Sequence, residues 1–322
     1  MLHLHLHRCG SRSIARFITI LLTSIPPTML SSQALLDVEG NFMVRGRIFL
    51  EDSINSLSLG DGAGADYPGM RNTFIGEGAA TWMNSGDENT MVGSRAGFGV
   101  ASGNSNTIFG SELPFFGGGT HDLNGCTFIG HEAGNPILEG LENTAIGHSA
   151  GSGRIGNSNC YFGASSGQSV DAVHASISLG YEAGYSNEAS SSCFVGALSG
   201  RHNALGFGNT FIGSSSGYYN SIGEQNTFIG IAAGFENRTG NYDVFVGASA
   251  GRNCVGFQNT YIGYEAGKQG VQSDINTFFG WHAGYSNSGI CNLFIGSAAG
   301  AVIQGDDNVL LGSAAGTGSS SG

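Results

Sequence analysis

From residue 56 to 316 apolar and polar positions recur in one fixed order, most plainly in Asn209-Thr210-Phe211-Ile212-Gly213-Ser214-Ser215-Ser216-Gly217 and Asn226-Thr227-Phe228-Ile229-Gly230-Ile231-Ala232-Ala233-Gly234. The glycine that closes the first half serves as a landmark. It falls at Gly60, Gly76, Gly93, Gly110, Gly130, Gly147, Gly163, Gly180, Gly196, Gly213, Gly230, Gly247, Gly263, Gly280, Gly296 and Gly312, spaced 16 or 17 residues apart with one interval of 20. A period this short leaves no room for a helix pair, and its Asn, Thr, Phe, Ile and Gly content favours short strands and tight turns. The expected fold is all-β: a parallel β-roll or β-solenoid of about sixteen repeats.

Reading each position down the copies assigns it a task. One residue before the landmark every copy is apolar, from Leu59 and Ile75 to Phe162, Ile295 and Leu311, which reads as a buried site. Two before it, fourteen of sixteen copies are apolar or aromatic, with Ser58 and Ser178 the exceptions. Three before it stands Thr in nine copies, replaced only by Leu, Ile, Val or Cys, so this site also reads as facing a core. Consecutive strand residues point to opposite faces, so the strand is apolar on both sides. Asn fills eleven of sixteen sites four before the landmark and reads as a turn residue. After the landmark, Ala stands three residues on in twelve copies and Gly four on in fourteen, which suits a close approach of two segments at a corner. Gly76, Gly93, Gly130, Gly213, Gly230, Gly263, Gly280 and Gly296 are the turn glycines most clearly placed by the pattern. The repeat varies in length only before the next landmark, which marks the exposed loop.

A strand with two apolar faces needs two covers. If one face lines the coil's narrow interior, the aromatic column two before the landmark needs a second surface. Phe74, Phe128, Phe194, Phe211, Phe228, Phe245, Phe278 and Phe294 are therefore expected at an interface between chains. The alternative is a wider coil, or a second sheet of the same chain, that buries both faces internally.

The series Asn-Thr-Phe-Ile-Gly-x-x-Ala-Gly resembles the head repeats of trimeric autotransporter (YadA-like) adhesins and of tail-fibre-like β-roll proteins, over about residues 56 to 316. The resemblance implies a left-handed roll and a homotrimer wrapped around a shared apolar axis. The family's usual repeat is a few residues shorter and carries a smaller residue where this chain has Phe. Residues 35 to 55 are expected as a leading strand segment, because Leu36-Asp37-Val38-Glu39-Gly40-Asn41-Phe42-Met43-Val44-Arg45-Gly46-Arg47-Ile48 resembles the short strand that leads into such repeats in tail-fibre-like proteins. No heptad stalk and no C-terminal barrel anchor follow in this sequence, and 317–322 reads as a flexible tail.

Composition narrows the function. Acids outnumber bases 24 to 12, only Lys268 is a lysine, and no basic cluster follows the N-terminus, so nucleic acid is not an expected partner. Residues 1 to 34 carry Arg8, Arg12 and Arg16, then an apolar run from Phe17 to Leu22, then the small residues Ser32 and Ala34. This pattern reads as a secretory signal peptide, or alternatively as an organellar transit peptide. Pro26 and Pro27 cut the run short of a membrane span, so no transmembrane anchor is expected in the mature chain.

Candidate chemistry is sparse. Beyond Cys9, the five cysteines Cys126, Cys160, Cys193, Cys254 and Cys291 form neither an even disulfide set nor a CxxC metal site. Cys160 and Cys193 read as small core residues, while the other three are candidates for pairing between chains. His3, His5 and His7 lie in the presequence. His121, His131, His148, His174, His202 and His282 fall at different repeat positions; His131-Glu132 and His282 follow a landmark and read first as solvated surface residues, with contact to neighbours in a stack as the alternative. No catalytic triad, phosphate loop or recurrent carboxylate pair stands out, and no cofactor is called for. The sequon Asn237-Arg238-Thr239 falls in the variable loop and makes Asn237 a candidate glycosylation site. The leading expectation is a secreted, non-enzymatic structural or adhesive module that meets a surface protein or glycan through its loops. Two other classes stay open: an ice- or crystal-binding solenoid using the Thr ladder, and a carbohydrate-active β-helix enzyme.

Overall fold

The computed structural model describes residues 56–64, 69–111, 121–135, 140–271 and 273–317. The presequence, the leading strand segment, the Pro114–Gly119 insertion and residues 318–322 lie outside them. Within the described residues the chain is all-β. Sixteen three-residue strands, from Leu57–Leu59 to Val309–Leu311, form one parallel sheet in which each pairs with the strand one repeat away. The register follows the landmark: Thr227, Phe228 and Ile229 oppose Val244, Phe245 and Val246, and every other coil pairs likewise. The 20-residue repeat keeps the register, with Thr107, Ile108 and Phe109 opposite Thr127, Phe128 and Ile129. Shorter ladders stand on another side at Val100–Ser102, His121–Asn124 and Gly140–Leu141, and at Gly153–Ile155 with Ser169–Val173.

The residue two before the landmark points into the coil. Phe74, Phe128, Phe194, Phe211, Phe228, Phe245, Phe278 and Phe294 are 0–1% exposed within a single chain, so they are core and not an interface between chains. Their rings stack as a column: Phe211, Phe228, Phe245, Tyr261, Phe278 and Phe294 follow one another at 4.7–4.9 Å between centroids, with planes within 8°. That step is the strand spacing itself. From Phe211 to Phe294 one ring per coil fills the interior because the opposite wall has almost no side chain. The Ala three after the landmark is fully buried in Ala233, Ala250, Ala266 and Ala283. A Cβ added to Gly234, which has φ +58°, would lie 2.4 Å from the Phe228 ring. A coil of 17 residues thus buries a Phe without a second sheet.

Phase decides the other two strand positions. Since Phe faces in, the residues on either side of it face out, and both columns read as core sites from the sequence prove to be surface. Ser178 interrupts the ring column; its hydroxyl is buried without a partner, the neighbouring Phe194 ring tilts 28° from Phe211, and a Cβ added to Gly184 would lie 2.8 Å from the Phe194 ring.

Polar side chains build a second internal column. The Asn four before the landmark is not a turn residue but a buried rung. Asn226 Oδ1 accepts from the Asp243 backbone N–H at 2.9 Å, and Asn226 Nδ2 donates to Gly240 O at 2.7 Å. The same pattern links Asn72 to Asn89 and Asn89 to Asn106. Cys126 takes a rung in place of Asn, its N–H donating to Asn106 Oδ1 at 2.9 Å. A shorter row, Asn187, Asn203 and Asn220, runs beside it, joined through Nδ2-to-Oδ1 bonds of 2.7 and 2.5 Å. These rungs satisfy backbone groups that a narrow coil hides from water.

All eight turn glycines named above have φ between 132° and 142°. At Gly230 a Cβ would also sit 2.5 Å from the Gly247 carbonyl oxygen, so both backbone and space exclude a side chain. The other left-handed positions are unmarked in the sequence. The residues two after and five before the landmark hold φ of about 50–63° with ordinary side chains, among them Ala232, Glu265, Tyr242 and Ile275. Each is fixed by a bond between coils, as where Ile275 N–H donates to Phe257 O at 3.0 Å. A β-branched residue at φ 58° is strained, and Ile275 is 49% exposed, so it gains little from burial. Ile275→Asn is expected to raise stability by about 1 kcal/mol, read as a higher urea midpoint.

Candidate binding face

The outer face of the sheet is the candidate site. Its two columns are the residues three and one before the landmark, Thr227 and Ile229 in one coil, Thr210 and Ile212 in the next. The Thr column is mostly half-buried by its neighbours, whereas the apolar column is more open. Phe279 is 54% exposed, Phe162 49%, Leu179 41% and Ile229 38%. Ile75, Val92, Ile146, Val195, Val246 and Ile262 are half-buried. No Asp, Glu, Lys, Arg or His stands in either column in any of the sixteen coils, although the chain as a whole carries a net charge of -12. Sixteen strands at about 4.8 Å give a strip roughly 75 Å long and about 10 Å wide.

Cys160 and Cys193 lie on this face, half-buried, which corrects their reading as core residues. Each pairs with Ile177 from opposite sides, so they are two coils apart and both thiols are free. Cys126 and Cys254 are buried instead, and desolvation pushes the Cys254 thiol up to about 12. Buried thiols of this kind do not pair between chains; of the three candidates only Cys291 is exposed.

Asn237 is fully buried. Its Nδ2 donates to Asp243 Oδ2 at 2.9 Å and its Oδ1 accepts from the Gly240 N–H at 2.9 Å. The folded chain therefore hides the sequon, because the variable segment is no free loop. It is stitched to its neighbours, for example by Glu236 N–H to Arg252 O at 2.7 Å and Gln269 N–H to Tyr285 O at 2.7 Å.

The outward side chains of this segment form a row that sequence reading did not single out. Five residues after the landmark stand Tyr185, Arg201, Tyr218, Phe235, Arg252, Lys268 and Tyr285 in successive coils. The Arg201 guanidinium lies 5.0 Å from the Tyr185 ring and that of Arg252 5.3 Å from Phe235. Tyr218 and Phe235 stack at 5.1 Å. The signal was present as a period of one aromatic or cation per repeat, diluted by length variation in the loop. Ion pairs flank the row. Bonds from Tyr181 and then Arg201 hold the Glu182 carboxyl below its usual range, and Lys268, at 2.6 Å, does the same first for Glu265. His282 lies 2.9 Å from Glu265 and stacks on Trp281, while His202 stacks on Tyr219. Burial, then the Arg201 charge, lowers the His202 pKa. Among the described residues no helix is long and apolar enough to cross a membrane. No model of a known protein family matches the chain, and no curated protein matches it.

Proposed function

We propose that this chain is a secreted, non-enzymatic structural and adhesive module that assembles as a homotrimer through the outer face of its sheet. Its ligand, a surface protein or glycan, is met by the aromatic and cationic row of the turn segment. The observation that carries the reading is the uncharged column of sixteen apolar residues facing solvent on an acidic chain. The apolar column takes up about half of the strip, roughly 375 Å², the size of the largest apolar patches on monomers, which mark interaction sites. A strip of the size above offers on the order of 750 Å² per chain, shared in a trimer between two neighbours. A second copy is the fitting cover, since it presents the same residues at the same 4.8 Å step.

Light scattering of the full chain on a sizing column tests it. The expected mass is three chains. In Ile212→Asp/Ile229→Asp/Ile262→Asp, which adds three charges to the face without touching the interior, the mass falls to one chain while the β-type circular dichroism is kept. A single chain in the unmodified protein contradicts the trimer. The second reading, an ice- or crystal-binding surface, is favoured by nine threonines in register on the same face; it requires thermal hysteresis from that single chain.

A further inference from the structure

Two imidazoles and a carboxylate converge at the corner that follows Gly130 and Gly147. His131 and His148 are the first residues after those landmarks, so the repeat stacks one over the other, with ring centroids 5.3 Å apart and planes within 8°. Glu132, held at φ 55°, turns its carboxylate back toward the pair. Its Oε2 lies 3.9 Å from His131 Nδ1 and accepts from Ser149 Oγ at 3.0 Å, and the same Ser149 Oγ lies 3.2 Å from His148 Nδ1. One ligand atom from each of the three residues falls within 4.8 Å of the others. The backbone beneath is fixed, with Ser149 N–H donating to His131 O at 3.0 Å and Gly147 N–H to Ile129 O at 2.8 Å. At the same corner the flanking coils carry only Ser111 and Ala164.

We infer that His131, Glu132 and His148 bind one divalent transition-metal ion of the zinc class across two neighbouring coils. Metal–ligand distances of about 2.0–2.2 Å in a tetrahedral set place donors roughly 3.4 Å apart, so rotation of the two exposed imidazoles toward the half-buried carboxylate closes the set without moving the backbone. Two imidazoles select zinc, copper or nickel over magnesium and calcium, which take oxygen ligands. Ser149 holds the carboxylate as an outer partner. Bound there, the ion staples consecutive coils.

The test is equilibrium dialysis of the full chain against zinc chloride. The histidines at positions 3, 5 and 7 are a second possible zinc binder, so three proteins are compared: the unmodified chain, His131→Ala/His148→Ala, and His3→Ala/His5→Ala/His7→Ala. The expected result is that the triple variant keeps one ion per chain and the double variant binds one ion fewer than the unmodified chain. Both His131 and His148 are exposed, so the double variant keeps its circular dichroism and melting in the absence of metal. With cobalt(II) as the probe, the visible absorption of nitrogen-ligated metal is kept in the triple variant and reduced in the double variant. Equal zinc binding by the double variant and the unmodified chain overturns the proposal, as does full displacement of zinc by equimolar calcium.

Discussion

Phe228→Ala lowers stability by about 3–5 kcal/mol, whereas Ile229→Ala, one residue on, costs about 1 kcal/mol or less in the isolated chain. The difference follows from which way the strand faces. Phe228 is fully buried between Phe211 and Phe245, each 4.8 Å away, above a glycine too close to its ring to accept a Cβ. No neighbour can collapse into the space it leaves, because the coils above and below are held by the Asn rungs and the sheet. Ile229 is 38% exposed and leaves no cavity. Each coil contacts only its neighbours, so the loss is local at first. Urea midpoints measure the total effect, and amide exchange locates it in the coils holding Phe211, Phe228 and Phe245.

Asp243→Asn raises stability at neutral and alkaline pH by on the order of 3 kcal/mol and flattens its dependence on pH. Asp243 occupies an Asn rung and is fully buried. Desolvation pushes its carboxyl from 3.8 up to about 7; bonds from the Asn259 backbone N–H at 2.8 Å and from Asn237 oppose the shift, while Asp274 adds to it. With the folded pKa above the unfolded one, the folded chain holds the proton more tightly. The Asp243 contribution to stability is therefore fullest below about pH 4, falls as pH rises toward 7, and stays low above it. An asparagine has no such titration. Its Nδ2 fits once the Asn237 amide turns over and gives up the Gly240 N–H, as where Asn209 Nδ2 donates to Asn203 Oδ1 at 3.0 Å and to Gly223 O at 2.7 Å. Thermal midpoints of both proteins between pH 4 and pH 9 measure it: the curves converge at the acid end and separate toward neutrality.

The repeat length, the strand positions and the parallel stacking are legible in the sequence, because the landmark glycines count the coils and the Thr-Phe-Ile triplets mark the strands. The direction of the strand is not. A strand apolar on both sides gives no polar face to set the phase, so Phe228 and Ile229 compete for the interior on equal hydrophobicity. The deciding clue lies elsewhere in the repeat: Ala233 and Gly234 leave room for one flat ring, which an Ile would fill poorly. The Asn rungs are hidden from the sequence for a related reason. Asn is common in left-handed turns, yet here the left-handed residue is the one before it, such as Gln225 or Tyr242, and the Asn side chain is spent on the next coil. That placement also explains why the sequon at Asn237 is hidden, since the same residue type serves as an internal bond in both rows. The convergence of His131 with His148 needs only the period to be seen, while the turn of Glu132 back toward them depends on a left-handed backbone that no glycine announces.

The assignment of inside and outside on which this account rests is tested most directly by timed alkylation of the native thiols, followed by mass spectrometry of the peptides. Cys291 is exposed and reacts at once. Cys126 and Cys254, buried in the two polar columns with their thiol pKa values raised, react only on unfolding. Cys160 and Cys193, on the outer face, react in a single chain and are protected in the proposed trimer. Modification of Cys254 in the native protein at the rate of Cys291, or Cys160 and Cys193 silent in a single chain, would contradict it.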